Sequence, residues 1–193
     1  MKHIGVYCAS SSQVDPAFMR CAEELGRLLA ARHLTLVNGA GVSGLMEASA
    51  RGALAAGGDV IGVIPQFMID NGWCNPEIRQ LIVTDTIHDR KAKIAEMCDA
   101  TIALPGGCGT LEELLEIITW KQIGLYTKPV CILNLNGYYN PLLDMLRKAI
   151  DEHFMREEHA ELWTVATSAE EAVQQILRGG VSDEAEAIRL ARM

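Results

Sequence analysis

The sequence predicts a three-layer, Rossmann-like α/β domain with a mainly parallel sheet, and three observations carry that prediction. Short apolar runs alternate with longer amphipathic stretches, the rhythm of strands each followed by a crossover helix. Several of those runs lack polar alternation, as strands buried on both faces do. Glycine-rich turns stand twice between a strand and a helix, at Gly39 to Gly44 and at Gly106 to Gly109. In a parallel sheet both turns fall at the carboxyl edge of the strands, where ligands bind.

Taken in order, Ile4 to Ala9 reads as the first strand, running into the polar turn Ser10-Ser11-Ser12-Gln13. Asp15-Pro16 opens a helix, with Asp as N-cap and Pro at the first helical position. Phe18, Cys21, Ala22, Leu25, Leu28 and Leu29 continue it. Leu34 to Val37 is the second strand, and Gly44 to Ala56 a small-residue helix ended by Gly57-Gly58. Val60 to Ile64 is the third strand, stopped at Pro65. Residues 66–79 mix Met68, Ile69 and Trp73 with Asp70, Asn71-Gly72 and Asn75-Pro76, and read as a loop with a short helical piece. Leu81 to Thr84 is the fourth strand, Ile87 to Cys98 a helix, and Thr101 to Leu104 the fifth strand. A long helix follows the second glycine turn. Then come strand Val130 to Leu133, helix Tyr139 to Phe154, strand Thr164 to Ala166 and helix Ser168 to Leu177. Ser168 and Glu171 have the spacing of a capping box, and Gly179-Gly180 ends that helix. Residues 1–180 thus read as a single α/β domain, and 181–193 as a polar C-terminal tail.

The 193 residues suffice for one domain with a real core, nearly half of them apolar and few aromatic. A formal charge of −8 argues against nucleic acid or an anionic membrane as partner. The six cysteines show no CxxC pair and no zinc-ligand spacing, which points to reduced thiols in a cytoplasmic protein without a metal or other cofactor. The N-terminal apolar run is too short for a signal peptide, and no run is long enough to span a membrane.

The stretch Thr101 to Gly124 organises the chemistry. Apolar Thr101 to Leu104 leads into Pro105-Gly106-Gly107-Cys108-Gly109, and from Thr110 the residues Leu111, Leu114, Leu115 and Ile118 keep helical spacing. Strand, glycine turn and helix together point unpaired N–H groups and the positive end of the helix dipole at an anion. No Lys-Ser/Thr pair follows, so this is not a Walker loop. The turn reads as the phosphate site for a small nucleotide-sized ligand. Glu113 admits two readings. With Thr110 as N-cap it closes a capping box, or it stands one turn from a bound phosphate, kept ionised by the dipole and facing developing positive charge. Spacing does not separate them.

The nine residues Pro105 to Glu113 match the PGGxGTxxE signature of the LOG family, the cytokinin riboside 5′-monophosphate phosphoribohydrolases, often labelled lysine decarboxylases. The Arg-Lys pair of that pattern is met by Arg90-Lys91, and the resemblance runs from Ile4 to about Ala166. It implies hydrolysis of the N-glycosidic bond of a nucleoside 5′-monophosphate to free base and ribose 5-phosphate, by a homodimer. It also implies that Arg90 and Glu113 are the catalytic pair. Substrate contacts are expected from Lys91, Gly106, Gly107, Cys108, Gly109, Thr110, Leu111, Glu112, Thr119, Ser10 and Gly41.

Each assignment has a plainer counterpart. A lone helix arginine is ordinarily solvated or salt-bridged, Lys91 points about 100 degrees away from Arg90, and Ser10 and Ser11 are equally ordinary turn serines. Glu112 and Glu116, at i,i+4, read as solvent-side, and Trp120 as a packing or subunit-contact residue. Met68 and Trp73 lie where base contacts are expected. Gly39-Ala40-Gly41-Val42-Ser43-Gly44 is a literal GxGxxG with Asp59 twenty residues beyond Gly39. The dinucleotide reading fails because Asp59 precedes the next strand instead of ending it. The motif is better read as a second backbone wall of the same pocket. It resembles the family's GGGxxGLMG but carries Ala40 and Glu47, which leaves the base open. A nucleotide-binding module without turnover shares this pocket and is the alternative. A pyridoxal-phosphate decarboxylase lacks a Schiff-base motif.

Overall fold

The apolar runs become strands whose residues are buried on both faces, as in Thr35–Asn38 and Ala100–Ala103, where every position is covered. The computed structural model describes residues 1–179, so the expected tail at 181–193 and Gly180 lie outside the described residues. Seven strands, β1 (His3–Tyr7), β2 (Thr35–Asn38), β3 (Val60–Pro65), β4 (Gln80–Thr84), β5 (Ala100–Ala103), β6 (Val130–Leu133) and β7 (Thr164–Ala166), form one sheet. All neighbouring pairs are parallel and the order is β4-β3-β2-β1-β5-β6-β7. The predicted three-layer α/β fold is therefore the observed one.

Helices α1 (Pro16–Ala31), α2 (Gly44–Ala55) and α7 (Ala169–Arg178) pack on one face. Helices α4 (Ile87–Met97), α5 (Cys108–Gln122) and α6 (Asn140–Asp151) pack on the other. Along β5, Ile102 joins the first core and Ala103 the second, the alternation that strand geometry requires. The small-residue character of α2 has a packing cause. A Cβ on Gly52 would lie 2.0 Å from the carbonyl oxygen of Glu23, and one on Gly26 would lie 2.0 Å from that of Ser49, so α1 and α2 touch backbone to backbone.

The caps mostly follow the sequence. Asp15 accepts from the Ala17 N–H at 2.7 Å and Pro16 opens α1. Ser168 accepts from the Glu171 N–H at 3.2 Å, but the Glu171 carboxylate takes the N–H and hydroxyl of Thr167 and not the Ser168 N–H. Residues 66–79 contain the short helix α3 (Gln66–Asp70), and two 3₁₀ turns, Leu135–Gly137 and Glu157–Leu162, join the predicted elements. A full capping box, Thr86 with Asp89, starts α4 one turn before Arg90.

One boundary is corrected. The long helix α5 begins at Cys108 with Gly107 as N-cap, two residues ahead of the expected Thr110 start. Extended backbone at Gly107 begins the helix without a side-chain cap, so Thr110 lies inside the first turn. Glu113 is consequently a turn deeper than a capping box requires. The capping reading of Glu113 falls.

Candidate active site

Chain order reverses between β1 and β5, where the chain leaves β1 to build one half of the sheet and returns beside it to build the other. Loops after neighbouring strands diverge at such a switch point and leave a crevice. A cleft of about 730 Å³ opens there, within the usual size for a small-molecule site. Its walls come from Cys8 to Ser11 after β1, Gly41 to Ser43 after β2, and Gly107 to Thr110 at the start of α5. Arg90 and Lys91 of α4, and Glu112 and Glu113 of α5, complete it.

The three loops lock to one another through backbone bonds. Ala9 donates its N–H to the Pro105 oxygen and accepts from the Met46 N–H, both at 3.2 Å. Gly44 has φ +67°, and a Cβ there would lie 2.5 Å from the Ser10 carbonyl carbon, so glycine is needed for both conformation and space. The Ser43 hydroxyl donates to the Ser10 oxygen at 2.7 Å. Asn38, at the end of β2, accepts from the Ala40 N–H at 2.9 Å and donates to the Met46 oxygen at 3.1 Å, which folds the glycine loop back on itself. From the other side, Tyr139 donates its hydroxyl to the Leu104 oxygen at 2.7 Å and Tyr138 to the Gly106 oxygen at 2.8 Å, holding the turn after β5. Tyr138 is itself set edge-on between Phe18 and Tyr139. Apart from the Asn38 bonds within the glycine loop itself, these supports are not legible as a motif, because they join residues dozens of positions apart.

The first backbone bond of α5 runs from the Leu111 N–H to the Gly107 oxygen at 3.0 Å. The N–H groups of Cys108, Gly109 and Thr110 precede it and belong to the open first turn, beside the cleft. That is the arrangement that receives an anion. Gly106 gives the turn its tightness. A Cβ there would lie 2.1 Å from the Thr110 hydroxyl oxygen, so the Thr110 side chain fills the space a larger residue would occupy.

Arg90 and Glu113, twenty-three residues apart in the chain, meet at the cleft wall, with Arg90 Nη2 donating to Glu113 Oε1 at 3.2 Å. Their side chains are 11% and 10% exposed, so the pair is nearly dry. Burial pushes the Glu113 carboxyl above the ordinary glutamate range, opposed by the Arg90 guanidinium and reinforced by neighbouring Glu112. This corrects the expectation that the helix dipole dominates. Glu113 lies beyond the first turn, to which that effect is confined, and desolvation prevails.

Lys91 is directed to the acidic face of α5. Its ammonium donates to Glu112 at 2.7 Å and to Glu116 at 3.2 Å, with only 5% of the side chain exposed. Burial works against its charge, yet the two carboxylates outweigh it and hold the ammonium pKa above the ordinary lysine value. Glu112 and Glu116 are therefore anchor points for α4 as well as solvent-side residues.

Ser10, Gly41, Gly107, Cys108, Gly109 and Thr110 reach the cleft. Gly106 and Leu111 are not on its lining, Leu111 packing against the second core, and the Thr119 hydroxyl turns back to the Leu115 oxygen at 2.7 Å, away from the cleft lining. Met68 and Trp73 both stand on the wall, Trp73 half exposed and edge-on to Phe67. Cys8 lines the cleft too, its thiol pushed up by burial. The six cysteines are all free thiols. Among the described residues no His, Cys, Asp and Glu group has a metal site's arrangement, and no helix is long and apolar enough to cross a membrane.

Residues 46–176 match the family described as "Possible lysine decarboxylase". Over 175 residues the chain is 41% identical to the cytokinin riboside 5′-monophosphate phosphoribohydrolase LOG5 of Arabidopsis thaliana, covering 91% of this chain and 77% of that protein. The chain belongs to the LOG family. LOG7 of the same plant is 42% identical over 175 residues, covering 91% of this chain and 81% of the relative. Among solved structures, the molybdenum cofactor binding protein of Rippkaea orientalis superposes with a TM-score of 0.71 at 26% identity, covering 92% of this chain and 96% of that one. In this LOG-family chain the signature stretch from Pro105 to Glu113 spans the anion-ready turn and ends on the buried carboxylate.

Proposed function

We propose that the protein hydrolyses the N-glycosidic bond of a nucleoside 5′-monophosphate to free base and ribose 5-phosphate. One observation carries this reading: a nearly dry arginine–glutamate pair at 3.2 Å stands beside the open first turn of α5. The phosphate is taken to sit on the N–H groups of Cys108, Gly109 and Thr110, with Gly107, Ser10 and Gly41 flanking it. The ribose then lies toward Glu113 and the base toward Met68 and Trp73. Water attacks C1′ as the C1′–N bond breaks, and the bonding pair leaves with the base, which takes up a proton. Positive charge grows on C1′ and O4′ in this step. The Glu113 carboxylate stabilises that charge and accepts the proton of the attacking water. Its burial makes it a stronger base than a surface glutamate, which suits the second task. Arg90 keeps the carboxylate oriented and offers its remaining N–H groups to the substrate. The site residues supply this chemistry without a cofactor.

The same family membership supports a homodimer, and the free thiols fit a cytoplasmic setting. Apolar Leu115, Ile123 and Leu125, exposed along and just after α5, are the natural dimer contacts.

The rival is a binding module that holds a nucleotide without turnover, favoured by the likeness to a cofactor-binding protein. Incubation with AMP, GMP, CMP and an N6-prenyl-AMP, with chromatography of the free base, decides between them. Base release from a 5′-monophosphate and not from the matching nucleoside is the expected result. Glu113→Gln should lower kcat by about a hundredfold or more while nucleotide affinity stays within a few-fold of wild type. Tight binding with no release from any substrate would leave the binding module standing.

A further inference from the structure

The first glycine of the loop after β2 has no part in the proposed chemistry, yet it packs directly against Arg90. Gly39 is buried. A Cβ built on it would lie 2.1 Å from Arg90 Nη2, 2.7 Å from Cζ and 3.0 Å from Nε. These three nearest heavy atoms all belong to one guanidinium, so the planar group is packed against the bare Cα of Gly39. The backbone itself does not demand glycine here, because φ lies outside the left-handed region. What the position demands is space.

The guanidinium is otherwise thinly held. Among the described residues its one side-chain hydrogen bond is to Glu113, and its buried Nε has no partner at all. Leaving a buried donor unpaired is unfavourable, so the placement is set by the surroundings and not by the arginine's own bonding. The loop under it is fixed on both sides. Asn38 holds the Ala40 N–H and the Met46 oxygen, and the Asn75 N–H donates to the Ala40 oxygen at 2.8 Å. A side chain at position 39 would therefore displace the tip of Arg90 and leave the loop in place.

We propose that Gly39 is a positioning residue for Arg90: its missing side chain lets the guanidinium lie at the cleft wall with one edge on Glu113 and its remaining donors toward substrate. This deepens the hydrolase reading and rests on it for its kinetic test alone. It also gives the first glycine of the dinucleotide-like motif a role apart from ligand contact.

The test is a double-mutant cycle of Gly39→Ala and Arg90→Ala. Misplacing a reacting or orienting group by about 1 Å can cost about a hundredfold in rate. Gly39→Ala should therefore lower kcat by about that factor, and the double variant should be no slower than Arg90→Ala within about twofold. A second readout needs no turnover. Arg90 lowers the pKa of Glu113, so side-chain carbon NMR should show the Glu113 titration moving upward in Gly39→Ala and in Arg90→Ala. The double variant should match Arg90→Ala. If the wild-type protein releases no base, the hydrolase reading fails while the titration still judges the seat. Wild-type rate and an unmoved Glu113 titration in Gly39→Ala would overturn the proposal, as would losses that add in the double variant. Should Gly39→Ala fail to fold, recovery of folding in the double variant supports the seat, and failure of both sinks it.

Discussion

Glu113 is the residue on which the site turns, and two opposed influences act on it. Burial raises its proton affinity and Arg90 lowers it, with burial ahead. The mechanism needs the ionised form, so kcat/KM should climb tenfold per pH unit on an acid limb centred above the ordinary glutamate range, and level off beyond it. A pH–rate profile of the free enzyme checks this, and a limb at the value of an exposed glutamate would contradict it. Stability runs the opposite way with pH. With the folded value above the unfolded one, the folded protein keeps its proton longer, and this contribution is full below the unfolded value and lost as pH rises through the folded value. Glu113→Gln has no such loss. Its melting temperature should therefore gain on wild type as pH rises from about 4 through that window. Equal shifts at every pH would show that Glu113 does not titrate as its burial requires. Arg90 and Glu113 were legible in the sequence through the Arg-Lys and PGGxGTxxE patterns. Their contact was not, because nothing local relates residues 90 and 113.

At the scale of elements, α4 and α5 act as one unit because Lys91 is clamped between Glu112 and Glu116. Its ammonium is nearly buried, so its loss differs from that of a surface pair, although Glu112 itself is over half exposed and partly screened by solvent. Lys91→Met should lower unfolding stability by about 1–3 kcal/mol, measured by urea titration. It should also slow base release, because α4 carries Arg90. An unchanged urea midpoint would leave Lys91 free for the substrate-binding role that the resemblance assigns it. Element types were readable from periodicity and breakers: Asp15-Pro16 opens α1 as expected and Val130–Leu133 is the strand anticipated. The start of α5 was misread because Thr110 looks like a cap, whereas Gly107 becomes one through a backbone conformation that composition does not announce.

Across the whole molecule, the strand order 4-3-2-1-5-6-7 decides where the site lies. The β1, β2 and β5 loops meet because β1 is flanked by β2 and β5, and the cleft needs all three. The same assembly leaves apolar side chains outward near the end of α5, with Leu125 72% exposed. If they form the dimer contact, Leu125→Glu should convert the protein from dimer to monomer in sedimentation at micromolar concentration. Its melting temperature should fall with the loss of association. A wild-type chain that sediments as a monomer at the same concentration would refute the dimer.

The sequence by itself determined the alternation of strands and helices, the parallel three-layer fold and the glycine turn ahead of Glu113. Those features are written in residues within a few positions of one another, through side-chain period, helix-breaking residues and apolar runs. Only the tertiary structure decided that Gly39 lies under Arg90, that Lys91 serves α5, and that Tyr138 and Tyr139 brace the turn after β5. Each of these joins residues that local pattern leaves unrelated. They become neighbours only when the sheet closes its order around β1 and brings distant loops to one edge.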